Sequence, residues 1–145
     1  MDIRLDGKVA IVTGGSRGIG KAIAQVFADS GAKVMITSRN EESCAAAAAE
    51  IGENAVYEAG HIGRDEDADR VVQSTMDQFG QVDILINNAA IFTAAPLVEI
   101  DRADYQRAFD INVSGTLFTM QAVAQHMIAR GQGGKIINKI GRAHG

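Results

Sequence analysis

A doubly wound α/β fold, a parallel sheet of about five strands with helices on both faces, is what this sequence predicts. Three observations predict it. Short apolar runs alternate with longer amphipathic ones along the chain. The first run, Val9-Ala10-Ile11-Val12, is continuous rather than alternating, as in a strand buried on both faces. Glycines then cluster at the junction that follows it, at positions 14, 15, 18 and 20. The composition agrees: 145 residues, 46% apolar and 22% charged, suit one globular domain over 1–145.

The elements follow in order. After the glycine turn, Ile19, Ile23, Val26 and Phe27 fall at helical spacing, and Gly31 ends that helix. Val34-Met35-Ile36-Thr37 makes a second strand. Asn40 is placed to cap a helix through the alanine tract 45–49, since alanine is the best helix former. Ala55-Val56-Tyr57 is a short third strand. Ala68, Val71, Val72, Thr75, Met76 and Phe79 stripe the next helix, with Asp65-Glu66-Asp67 favourably at its start. Residues 83–87 form strand four. A long helix is expected over roughly 110–129, with Val113, Leu117, Met120, Ala124 and Met127 on one face. Gly131, Gly133 and Gly134 stop it, and Lys135-Ile136-Ile137-Asn138 is strand five. Such alternation implies right-handed crossovers, and ligands then bind beyond the carboxyl ends of the strands.

Several functions are disfavoured at once. A net charge of −4 without a dense basic run argues against a nucleic-acid partner. Cys44 stands alone, so neither an internal disulfide nor a cysteine zinc cluster is expected, and no metal site is assigned. No apolar stretch reaches membrane-spanning length, and the charged start is unlike a signal peptide, which makes a cytoplasmic protein without membrane partners the expectation.

The turn Thr13-Gly14-Gly15-Ser16-Arg17-Gly18-Ile19-Gly20 carries the strongest chemical signal. Glycines at 14, 18 and 20 permit a tight turn, close backbone approach to a diphosphate, and close packing of helix on sheet. The helix start adds partial positive charge there. Gly15 to Lys21 also satisfies the phosphate-loop pattern G-x-x-x-x-G-K, but Ala22 has no hydroxyl for Mg²⁺. A receiver-like signalling domain would need an acid after strand three, where Ala59-Gly60-His61 supplies none.

Taken together, the glycine turn, Asn87-Asn88-Ala89-Ala90 and Asn112-Val113-Ser114-Gly115 resemble the short-chain dehydrogenase/reductase family. The resemblance covers the chain up to Asn138, and the stretch from Asn87 is similar to bacterial sorbitol-type polyol dehydrogenases. It implies a Rossmann-type domain that binds a nicotinamide dinucleotide and exchanges hydride with a carbonyl or alcohol substrate. Asn87 through Ala90 would line the cofactor and tie strand four to its neighbours. Ala90 stands in place of the family's usual glycine. His61 stands where the family has an aspartate at the adenine edge, and Ile62 can still pack on the ring. After strand two an acid would favour NAD(H). Here the sequence is Thr37-Ser38-Arg39, and Arg39 with Arg17 points to NADP(H) over NAD(H).

The resemblance also implies what is lacking. Asn112 matches the asparagine that supports the family's catalytic lysine through water. The tyrosine, lysine and serine do not match: Tyr57 and Tyr105 are followed four residues on by His61 and Phe109, and no hydroxyl residue follows Asn138. His144 is read as a flexible tail residue. The expectation is therefore the N-terminal, cofactor-binding portion of an oxidoreductase, the C-terminal part of the family fold missing by truncation or frameshift, and inactive by itself. Strand five is then a sheet edge, and homo-oligomer formation is an expected consequence. A non-catalytic dinucleotide-binding or regulatory module is the alternative.

Overall fold

The computed structural model describes residues 3–141. Five parallel strands, β1 (Val9–Thr13), β2 (Lys33–Thr37), β3 (Ala55–Tyr57), β4 (Ile84–Asn87) and β5 (Lys135–Asn138), form one sheet in the order β3-β2-β1-β4-β5. The chain winds outward from β1 to β3, then returns to the other side of β1 for β4. The reversal leaves a crevice at the carboxyl ends of β1 and β4.

Burial on both faces explains the unbroken apolar strands. Val12, Ile36 and Ile86 pack against α1 (Gly18–Asp29) and α2 (Glu41–Ile51). Ile11, Met35 and Leu85 face the opposite way, against α3 (Asp65–Phe79) and α5 (Gly115–Arg130). Asn40 caps α2 by accepting the Ser43 N–H at 2.7 Å. Strand β5 is the exposed edge beside β4.

Two helical expectations need correction. On α1 the buried residues are Gly20, Ala24 and Ala28, while Ile19 and Val26 are exposed and Ile23 and Phe27 half-buried. Small residues four apart let the helix lie close on the sheet, and the larger ones are displaced to its flanks. The long helix is also different. It is preceded by a 3-10 turn (Leu97–Glu99) and by α4 (Arg102–Phe109), capped by Asp101, neither of which was anticipated. Between α4 and α5 the backbone passes through a π turn, Asp110–Ser114. The wider turn shifts the phase of the residues after it. The buried stripe on α5 is consequently Gly115, Thr119, Val123 and Met127, and Val113 and Leu117 face outward.

Candidate functional site

A cleft of about 760 Å³ opens at the carboxyl ends of the strands. Its first wall is the glycine turn. Gly14 and Gly18 adopt φ of +65° and +54°, the left-handed region where glycine is unstrained. Gly20 faces the turn so closely that a Cβ there would lie 2.2 Å from the Gly14 carbonyl oxygen. The turn is held from both sides. Gly15 N–H donates to the Thr37 carbonyl at 3.2 Å, and the Asn88 amide donates to the carbonyls of Thr13 and Gly14 at 3.1 and 3.3 Å. Thr13 Oγ1 in turn accepts the N–H groups of Asn88 and Ala89, each at 3.0 Å. Asn88 thereby fastens the end of β4 to the turn after β1.

The amino terminus of α1 has the electrostatics of an anion site. Arg17 occupies its cap position without a side-chain cap, and its first turn holds no acidic residue. The starts of α2 and α4, by contrast, are closed by Asn40 and Asp101. First-turn N–H groups free of side-chain acceptors, with the helix dipole behind them, favour a negative group. Lys21, which the phosphate-loop pattern would aim at phosphate, instead pairs with Glu50.

The second wall comes from the loops after β2 and β3. Ser38 Oγ lies 3.0 Å from Cys44 Sγ, and its carbonyl accepts the Gly60 N–H at 2.9 Å. His61 is fixed through its backbone, which donates to Asp67 Oδ2 at 2.6 Å. Burial works against the Asp67 carboxylate, but the His61 amide and the Arg70 guanidinium together hold it below the usual carboxylate range. Arg70 completes the brace by donating to Glu58 and to the Ala59 carbonyl.

The structure brings nearly all the sequence-predicted positions together. Gly14, Ser16, Arg17, Gly18, Ile19, Gly20, Ser38, Arg39, His61, Ile62, Asn88, Ala89 and Ala90 all line this cleft. Asn87 does not. It is buried, and its amide donates to Asn138 Oδ1 at 2.9 Å, tying β4 to β5. Nor does Asn112 reach the lining. Its side chain accepts the Ile91 N–H and donates to the Ile91 carbonyl, both at 2.9 Å, from within the π turn. It is a positioning residue for Ile91 in this structure. Asn112→Ala is expected to cost about 1 kcal/mol and to speed amide hydrogen exchange at Ile91. Unaltered exchange there would show the paired contact to be idle.

Sequence reading missed Ile91, Phe92, Ile111 and Lys139, which also line the cleft. Ile91 and Phe92 extend a motif already noticed, so position alone was a usable sign. Ile111 reaches the cleft from within the π turn, whose presence local spacing did not announce. His144 lies outside the described residues. Among the described residues no cluster suited to a metal occurs, and no helix is long and apolar enough to cross a membrane.

A parallel 3-2-1-4-5 sheet with a glycine turn and an uncapped helix at its switch point defines a Rossmann-type α/β protein. Residues 8–142 match the family model described as short chain dehydrogenase, and the chain belongs to that family. It is 52% identical over 141 residues to a sorbitol dehydrogenase of Cereibacter sphaeroides, covering 97% of this chain and 55% of the relative. It is 45% identical to a galactitol 2-dehydrogenase of Agrobacterium fabrum, again over 97% of the chain and 55% of the relative. A crystal structure described as that of a short-chain alcohol dehydrogenase from Sinorhizobium meliloti 1021 superposes with a TM-score of 0.87 at 35% identity, covering 95% of this chain and 56% of that one. The chain thus spans about half the length of the relatives it matches.

Proposed function

We propose that this chain is the NADP(H)-binding half of a short-chain oxidoreductase acting on polyhydroxy alcohols. The observation that carries the cofactor part is the cleft's lining, which contains Arg17 and Arg39 and no aspartate or glutamate. The diphosphate belongs at the uncapped start of α1, over Gly14 and Gly18. Arg39, following β2, stands where an acid would accept a ribose 2′-hydroxyl, and a guanidinium there favours a 2′-phosphate. Ile62 and His61 border the adenine side, and Asn88, Ala89 and Ala90 form the floor towards β4. When bound, the nicotinamide ring supplies a hydride for exchange with a carbonyl or alcohol carbon.

The substrate class is suggested by the names of the relatives, sorbitol and galactitol dehydrogenases. The chain's own residues bind and orient; they provide no Tyr-x-x-x-Lys for moving the proton. Turnover by these 145 residues alone is therefore expected to be absent.

Titration of the purified chain with NADPH and NADH tests the cofactor reading. NADPH is expected to bind tighter by at least about tenfold, the scale of one charge-assisted contact. Arg39→Asp is expected to reverse the order by repelling the 2′-phosphate and accepting the ribose hydroxyl. Equal affinities in the unaltered chain would remove the assignment.

A further inference from the structure

The charge in the cleft is one-signed, in a chain whose net charge is −4. Arg17, Arg39 and Lys139 line it without a carboxylate. The two arginines are accounted for by the phosphates proposed above, but Lys139 is not. Its backbone N–H donates to the Asn87 carbonyl at 3.0 Å, which fixes it at the joined ends of β4 and β5. Its ammonium donates to the Gly141 carbonyl at 2.9 Å, and it forms no ion pair among the described residues.

Its position across the sheet decides what it can serve. Three strand intervals separate β2 from β5, so Lys139 stands about 14 Å from the Arg39 end. A dinucleotide whose adenosine turns towards β2 extends its other end over β4. That end carries no phosphate, and its oxidised ring is positive, so an ammonium beside it gains nothing from the cofactor. Lys139 is half-buried, which weakens screening of a charge contact there.

We propose that Lys139 forms an anion subsite at the β4–β5 end of the cleft, taking the phosphate or carboxylate of a second small ligand bound beside the dinucleotide. The inference rests on the dinucleotide reading above and narrows its substrate class to polyhydroxy compounds that carry an oxyanion. A neutral polyol offers the ammonium no counter-charge.

Calorimetric titration of the NADP⁺-saturated chain with sorbitol, sorbitol 6-phosphate and gluconate tests it. At least one of the two anions is expected to bind roughly tenfold tighter than sorbitol, the scale of one charge-assisted hydrogen bond. The stronger of the two identifies phosphate or carboxylate as the preferred group. Lys139→Met is expected to erase the advantage and Lys139→Arg to keep it, each measured with the variant saturated by NADP⁺. Equal binding of all three compounds, or an advantage that survives Lys139→Met, overturns the subsite. If NADP⁺ does not bind, the dinucleotide reading fails by itself. The same titrations of the cofactor-free chain then decide the subsite: a Lys139-dependent preference for the anions sustains it, and its absence overturns it.

Discussion

Gly20→Ala is expected to weaken NADPH binding by about a hundredfold or more, equivalent to about 2.7 kcal/mol, and to lower stability at the same time. The methyl would lie 2.2 Å from the Gly14 carbonyl oxygen, 2.5 Å from Asn88 Nδ2 and 2.8 Å from the Gly14 carbonyl carbon. Two of these atoms are backbone, and the third belongs to the amide that fastens β4 to the turn. None can yield as the free end of a flexible side chain would. Either α1 moves away from the turn or the turn opens. The first withdraws the helix's N–H groups from the diphosphate position, and the second breaks the Asn88 contacts. Overpacking of this kind costs about 1–3 kcal/mol. Fluorescence titration with NADPH and a urea unfolding curve read the two effects separately. Full affinity in a folded Gly20→Ala variant would mean that the turn does not form the phosphate cradle.

The same residue shows what a sequence can and cannot disclose. The strands were legible because burial on both faces demands unbroken apolar runs, and Val9–Val12 and Ile84–Ile86 are such runs. The turn was legible because its glycines have a backbone reason that no other residue meets. The face of α1 was not. Periodicity weights large side chains, whereas this helix is seated by Gly20, Ala24 and Ala28, whose contribution is their smallness. The phase of α5 was hidden for another reason. The π turn before it is held by Asn112 gripping the Ile91 backbone, a contact between segments 21 residues apart that local spacing cannot register. Gly115 belongs to the same case. A Cβ there would come within 2.7 Å of the Ile62 carbonyl, so its need for glycine lies in a loop far away in sequence. The cleft's lining was largely readable because strand ends determine it. The side chains that brace it, Asp67, Arg70 and Asn112, act through backbone groups elsewhere and carry no motif of their own.

Asp83→Ala is expected to be the most destabilising substitution away from the cleft, at about 3 kcal/mol, the scale of breaking a buried ion pair from one side. Asp83 stands just before β4 at the end of the sheet opposite the cleft, and it joins three parts of the chain. Its carboxylate accepts the Val9 N–H at 2.8 Å, the Gln81 amide at 2.7 Å and the Arg130 guanidinium at 2.8 Å. Alanine leaves the Val9 donor unpaired at the start of β1. It also leaves Arg130, largely buried and with Nε and Nη1 already lacking partners among the described residues, without its counter-charge. A domain of this size has about 5–15 kcal/mol in all, so the loss is a substantial share. Burial by itself would raise the Asp83 pKa. The Val9 amide, Arg130 and Gln81 outweigh it and hold the carboxyl below the usual range. Because the folded value is depressed, the unfolded chain takes up the proton first as pH falls. The stability that Asp83 contributes is therefore complete above its unfolded pKa of about 3.9 and is lost as pH drops through the lower folded value. Asp83→Asn keeps the shape without the charge and lacks this acid-labile part. Urea midpoints compared between pH 7 and pH 3 should show the advantage of the unaltered chain over Asp83→Asn shrinking below about pH 4. A gap that stays constant over that range would place the stabilisation in the packing of the side chain instead of its ionised form.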